Sequence, residues 1–127
     1  MTKENRKHLR LWVKALRSGK YKQTRHRLNR SKNGQLVSHC CLDVAHLVYQ
    51  KATRQGYHNI DTGDFIVGGF KSGSFLNLKV ANWLGFDDEN PVCGKTRLAC
   101  LNDSSHLSFS KIADRIEKHF LSKGGSK

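Results

Sequence analysis

The sequence lacks any apolar run long enough to cross a membrane, and its first residues carry no apolar signal segment. Internal repeats and composition changes that would mark a domain boundary are also missing. We therefore expect a protein of the cytoplasm with no membrane partner. With 127 residues, 37% of them hydrophobic, the chain is expected to form a single domain, 1–127, with residues 122–127 as a frayed polar tail.

Acidic residues are scarce, and Glu4 is the only one in the first 38 positions. Residues 1–38 hold twelve Lys or Arg, a net charge of +11, whereas residues 39–127 hold eleven against nine acids, a net of +2. A near-neutral body with so basic a first third is typical of a protein that meets a polyanion. We predict RNA, DNA or a host nucleoprotein as the partner. The alternative is an acidic host protein that this chain would inhibit.

No recognition motif for either nucleic acid accompanies these cations, so we expect contacts with phosphates to dominate over contacts with bases. An aromatic ring among the cations can stack on an unpaired base. The predicted nucleic-acid-binding residues are Arg6, Arg10, Lys14, Arg17, Lys20, Tyr21, Lys22, Arg25, Arg27, Arg30 and Lys32.

Four cysteines are present, and a disulfide between the adjacent Cys40 and Cys41 would need a strained geometry. Buried, reduced thiols are therefore expected. A thiol enzyme is an alternative: a helix start would lower the pKa of Cys40, with His106 as the base and Asp103 or Asn102 orienting it. Because no Gly-rich oxyanion loop surrounds Cys40, we predict no enzymatic activity.

Closely paired zinc ligands are missing, since Cys93 and Cys100 are spaced more widely than in the usual zinc knuckle. We therefore predict no metal and no cofactor. The alternative metal site combines Cys40, Cys93, Cys100 and His106, with His39, Cys41 or His46 as further candidates.

Helical periodicity dominates the chain. The densest apolar run, residues 39–52, predicts a central helix that starts near Cys40 behind Ser38 as its N-cap. Three more helices are predicted over residues 3–17, over 75–84 with Ser74 as N-cap and Gly85 as its end, and over 109–120 with Ser108 or Ser110 as N-cap. The predicted fold class is α+β, mainly helical, with about four helices around the central one and one or two short β-ribbons.

Three segments without clear helical periodicity supply the ribbons. Residues 64–67 are a strand candidate, and residues 92–101 are ambiguous and fit a strand followed by a short turn of helix. Asn33-Gly34 is a turn signal. It predicts either a hairpin between residues 24–28 and 36–37, with Arg25 and Arg27 on one side of the ribbon, or an irregular loop that orders only on binding.

Several motifs form a joint pattern along the chain. They are Trp12 with residues 16–21, Cys-Cys-Leu-Asp-Val from Cys40, Val-x-x-Trp-x-Gly at residues 80–85, and Leu-Asn-Asp at residues 101–103 with Ser-Phe-x-x-Ile-Ala-x-x-Ile-Glu at residues 108–117. With them, the chain resembles a family of small proteins common in tailed-phage and prophage genomes. That family usually has Gly at the position of Asp43 and an aromatic at that of His39. The resemblance implies a phage origin and a host-cytoplasm setting, and it implies no activity.

Overall fold

The computed structural model describes residues 1–121 and has an α+β fold that is mainly helical, as predicted. Its helices are α1 (Lys3–Arg17), α2 (Cys41–Thr53), α3 (Leu78–Leu84), α4 (Leu98–Asp103) and α5 (Phe109–Ile116), and a π-helical turn (Glu117–Leu121) follows α5. Its strands are β1 (Asn29–Lys32), β2 (Gln35–His39), β3 (Tyr57–His58), β4 (Phe65–Val67), β5 (Phe70–Ser72), β6 (Val92–Cys93) and β7 (Thr96–Arg97). The predicted frayed tail lies outside the described residues.

The strands form three small antiparallel sheets, in the orders β1-β2, β3-β4-β5 and β6-β7. The turn predicted at Asn33-Gly34 is confirmed, and both residues have the positive φ angles, 55° and 78°, that a tight hairpin turn favours. The predicted strand before it is wrong, because β1 begins at Asn29 and not at Thr24. Arg25 and Arg27 therefore lie in the irregular segment that precedes the ribbon.

The first helix matches its predicted bounds, residues 3–17. Thr2 and Asn5 form a reciprocal capping box at its start, and Leu9, Trp12, Val13 and Leu16 form the buried stripe that the spacing predicts. The indole Nε1 of Trp12 donates a hydrogen bond of 3.0 Å to the carbonyl of Cys41. This bond joins α1 to the first residue of the central helix.

The central helix α2 is buried around most of its circumference because α1, α3 and α4 all pack on it. It starts near Cys40 as predicted, but its N-cap is Cys40, whereas Ser38 belongs to β2. Cys40 supplies no side-chain hydrogen bond to the helix. The first turn of α2 therefore relies on groups from elsewhere in the chain.

The elements after α2 are of the predicted types, but the third helix begins later than predicted. The third helix begins at Leu78 with Asn77 as N-cap, not Ser74, because the Asn77 side chain accepts a hydrogen bond from the Lys79 amide. Gly85 ends it, as predicted. The ambiguous residues 92–101 form β6, β7 and the start of α4, and Ser108 caps α5. None of the helices within residues 1–121 is long and apolar enough to span a membrane.

Replacing Trp12 by Phe tests the contact between α1 and α2. The variant keeps an aromatic ring but removes the indole hydrogen bond to the Cys41 carbonyl and opens a gap in the core. We expect a loss of about 1–3 kcal/mol in the free energy of unfolding. Chemical denaturation measures it, and Leu11→Ala, at a side chain 40% exposed on the same helix, serves as the control. Equal losses in the two variants would contradict this account.

Candidate functional site

The basic residues between α1 and β1 are held in place by one buried amide, that of Asn102 in α4. Its Nδ2 donates to the carbonyl of Thr24 at 2.9 Å. Its Oδ1 accepts from Gln23 Nε2 at 2.8 Å and from the backbone amide of Cys41 at 3.1 Å. Asn102 thus joins residues 18–28, which we call the basic segment, to the first turn of α2 and supplies the cap that Cys40 does not provide.

Backbone hydrogen bonds fix the rest of this segment. Thr24 donates to the His39 carbonyl, His39 donates to the Lys22 carbonyl, and both bonds are 2.8 Å long. The amide of His26, a residue with a positive φ of 70°, donates to Asp103 Oδ1 at 2.8 Å. The segment is irregular, as one alternative predicted, but its path is set by bonds within the protein, which argues against ordering only on binding.

Most of the predicted cations are not neutralised by the protein itself. Within residues 1–121, seven of the ten have side chains with neither a hydrogen bond nor an ion pair, and all but one of the seven are exposed. We call these seven residues together with Tyr21 the basic surface: Arg6, Arg10, Lys14, Lys20, Tyr21, Lys22, Arg27 and Lys32.

The other three predicted cations are engaged in internal contacts. Arg17 pairs with Asp114 at 2.7 Å and Glu117 at 3.1 Å, which raises the pKa of Arg17 and lowers that of Glu117. Arg25 is half-buried and donates to the Leu107 carbonyl at 3.3 Å, and Arg30 Nε donates to Thr24 Oγ1 at 2.6 Å. We therefore assign these three to the structure of the domain.

A cleft of about 340 Å³ lies between α1 and α2, beside Tyr21. Three lysines line it: Lys14 and Lys20, which belong to the basic surface, and Lys51 from the end of α2. No sequence pattern marks Lys51, because it lies in the near-neutral part of the chain, 30 positions after Tyr21. Only the packing of α2 on α1 brings it to this cleft, which we call the Tyr21 cleft.

A buried carboxylate, Asp43 in the first turn of α2, collects hydrogen bonds from three imidazoles. Its Oδ2 accepts from His39 Nδ1 at 2.6 Å, and its Oδ1 accepts from His46 Nδ1 and His58 Nε2, both at 2.9 Å. The amide of Asn29, in β1, also donates to Oδ2 at 3.2 Å. With four donors on two oxygens, the charge of Asp43 is well satisfied although no part of the residue is exposed.

These contacts set the protonation of the cluster. Burial alone would raise the pKa of Asp43, but the hydrogen bonds from His39, His46 and His58 hold that pKa well below its usual range. Burial also lowers the pKa of His46, more than the neighbouring carboxylate raises it. The cluster therefore holds an ionised carboxylate next to a neutral His46.

Asp43, His46 and His58 form the one group within residues 1–121 compact enough to surround a metal ion, with ligand atoms within 4.8 Å of one another. One contact argues against this use. The backbone amide of Asn77 donates to His46 Nε2 at 2.9 Å, so the ring proton is on Nδ1, the atom that would have to bind the metal. The geometry therefore favours a hydrogen-bonded cluster over a metal centre.

The alternative zinc ligands are not brought together. Cys40 and Cys93 are buried, whereas Cys100 and His106 are exposed, and these four do not form a compact group within the described residues. Of the further candidates, His39 and His46 belong to the Asp43 cluster, and the Cys41 thiol faces the Leu98 carbonyl at 3.7 Å. The alternative zinc ligands are therefore separated in the structure as well as widely spaced in the sequence.

The environment of Cys40 does not favour a nucleophile. Burial, followed by the charge of Asp43, raises the pKa of Cys40 to about 12, so the thiol is protonated at neutral pH. Cys40, Asn102 and Asp103 line a cavity of about 210 Å³, but His106 does not line it, and no hydrogen bond joins His106 to Cys40 in the part of the chain described. Asp103 Oδ1 instead accepts from the His26 amide and from Asn102.

With the geometry established, comparison with known proteins adds the family. Residues 3–120 match the model of the family described as Domain of unknown function (DUF8296), and because the match covers most of the chain, the protein belongs to that family. No curated protein and no solved structure matches the chain.

The Asp43 cluster predicts a specific pH dependence of stability. Unfolded His46 takes up a proton near pH 6.5, whereas folded His46 stays neutral to lower pH, so the unfolded state binds more protons in this window. The free energy of unfolding should therefore fall as the pH is lowered from 7 to 5, with a contribution from His46 of up to about 1.4 kcal/mol per pH unit.

Denaturation at a series of pH values checks this slope. His46→Gln keeps an acceptor for the Asn77 amide and should reduce the slope between pH 7 and 5. His106→Asn, at an exposed histidine, is the matched control and should leave the slope unchanged. An unchanged slope in His46→Gln would show that His46 is not the group responsible.

Thiol reactivity is a second outcome of this geometry. Cys100 is exposed, whereas burial raises the pKa of Cys40 to about 12 and that of Cys93 to about 11, and holds the pKa of Cys41 well above its usual value. We expect iodoacetamide near neutral pH to modify Cys100 first, as mass spectrometry of the native protein would show. Rapid modification of Cys40 would restore the thiol-enzyme alternative.

Proposed function

We propose that this protein binds nucleic acid or a nucleoprotein through the basic surface, with phosphates as the main contacts. One observation carries the proposal: within residues 1–121, seven cations of the N-terminal third have side chains without a hydrogen bond or an ion pair. Cations that a protein leaves unpaired on one segment create a positive potential that attracts polyanions. We further propose that it is a phage-encoded accessory protein acting in the host cytoplasm, as the resemblance implies.

The distribution of carboxylates supports this proposal. Asp43 is buried among its hydrogen-bond donors, and Asp114 and Glu117 are occupied by Arg17. Asp87, Asp88 and Glu89 group around a separate surface depression beside Phe75. Among residues 1–121, no acidic side chain lines the Tyr21 cleft. Asp103 and Asp61 do line depressions together with Arg27, so the shortage of nearby carboxylates applies to the cations around the Tyr21 cleft.

The fixed path of the segment also favours binding. A loop that must be ordered on binding loses conformational entropy, which weakens the complex. Here the bonds from Asn102, His39 and Asp103 already fix the backbone that carries Lys22 and Arg27. The cations can therefore meet phosphates with mainly side-chain ordering.

The salt dependence of binding tests the proposal. We expect the affinity for nucleic acid to fall on the order of a hundred- to a thousandfold between about 50 and 200 mM salt, because each neutralised phosphate releases counterions. Replacing Arg10, Lys20, Lys22 and Arg27 together by Gln should weaken binding at least about tenfold and flatten this dependence. Fluorescence anisotropy with labelled oligonucleotides measures both.

A matched control removes the same charge elsewhere, with Lys71, Lys79, Lys95 and Lys111 all replaced by Gln. If the two variants lose equal affinity, net charge and not the basic surface is responsible. If affinity is indifferent to salt, the partner is not a polyanion. In that case a nuclease-treated pull-down from host lysate that retains one dominant acidic protein would favour the inhibitor alternative.

A further inference from the structure

The Tyr21 cleft combines an apolar wall with cations. Small or aliphatic side chains form its apolar wall, namely Leu11, Ala15, Val48 and Ala52, and three lysines line it as well. Its volume of about 340 Å³ lies at the small end of ligand-binding clefts. Such a site suits a flat, apolar group that is joined to negative charge.

We propose that the Tyr21 cleft binds an unpaired base of single-stranded nucleic acid, with the adjoining phosphates on Lys14, Lys20 and Lys51. This inference rests on the proposed function and names the form of nucleic acid. A duplex keeps its base faces stacked inside the helix, so only an unpaired strand can place a base in the cleft while its phosphates reach the lysines. Tyr21 and the apolar wall replace the stacking partners that the base lacks.

Tyr21 is supported as a rigid platform. Its ring meets the ring of His39 edge-on, with the centroids 6.0 Å apart and the planes at 88°. His39 is in turn held by Asp43 through the 2.6 Å hydrogen bond. The phenol oxygen of Tyr21 makes no hydrogen bond within residues 1–121, so the ring, and not the hydroxyl, is the part that the fold positions. A preorganised aromatic ring beside cations is a common platform for a base.

The cleft also continues into the basic surface. Lys14 lines both the Tyr21 cleft and a second groove, between α1 and the π-helical turn, which Arg10 lines as well. Arg10 and Lys14 are four residues apart on α1, so they lie on the same side of the helix. A strand anchored by a base in the cleft therefore finds further cations along α1.

The test compares three polyanions by fluorescence anisotropy: a short labelled oligothymidylate, a duplex of the same length, and inorganic polyphosphate as an unlabelled competitor. We expect the single strand to bind most tightly. Tyr21→Leu should weaken single-strand binding about five- to a hundredfold while leaving competition by polyphosphate nearly unchanged. Tyr21→Phe, which keeps the ring, should bind as the unmodified protein does.

Lys51→Gln gives a second readout that does not depend on the packing of Tyr21. It should lower the affinity for the single strand and reduce the slope of log affinity against log salt concentration by about 0.7. Lys71→Gln, at an exposed lysine on β5, should change neither quantity. Thermal melting verifies that each variant is folded. If Tyr21→Leu does not fold, the affinity of Lys51→Gln for the single strand tests the base-binding role instead.

The outcomes separate the two proposals. Equal binding of all three polyanions, or variants of Tyr21 and Lys51 that bind as the controls do, would overturn the base-binding role and leave the basic surface intact. Failure of all three to bind in a salt-dependent way would overturn the proposed function itself, and the base-binding role with it.

Discussion

The first turn of α2 is the junction on which the rest of the structure depends. Trp12 bonds the carbonyl of Cys41, Asn102 bonds the amide of the same residue, and the amide of Cys40 donates to the Leu28 carbonyl at 2.7 Å. A helix whose N-cap offers no side-chain acceptor needs such partners for its exposed amides. Here Asn102 of α4 is that partner, and the bonds to Trp12 of α1 and to Leu28 of the basic segment meet at the same turn, so one helix end holds three parts of the chain together.

This junction explains how a strongly charged segment stays on the surface of a small core. Mutual repulsion would favour spreading the cations of residues 20–32 away from the domain. The buried amides of Asn102 and Asn29 oppose this because each bonds groups on both sides, Asn102 between Thr24 and α2 and Asn29 between Asp43 and the Gly63 carbonyl. Leaving such buried groups unpaired costs about 1–3 kcal/mol each, enough to keep the segment in register.

Local sequence patterns predicted the features that depend on residues close together in the chain. The stripes of α1 and α5, the Asn33-Gly34 turn and the Gly85 stop follow from periodicity and backbone preference. Asp43 and His46 are three residues apart in α2, a local signal that they lie on one side of the helix, whereas His39 belongs to β2. His58, Asn102 and Lys51 join their sites only through tertiary packing, so no local pattern reveals them.

The Asp43 cluster affects the basic surface mainly by holding neighbouring residues in place, and less through its charge. A buried carboxylate that is surrounded by donors adds little stability over an apolar replacement, so its value lies in the geometry that it imposes. That geometry fixes His39, whose ring abuts Tyr21, and Asn29, which begins β1. A residue without a carboxylate at position 43 could not make these bonds. In this protein, three histidines and one carboxylate therefore depend on one another, and a change in any of them would reach the surface by displacing Tyr21 or β1.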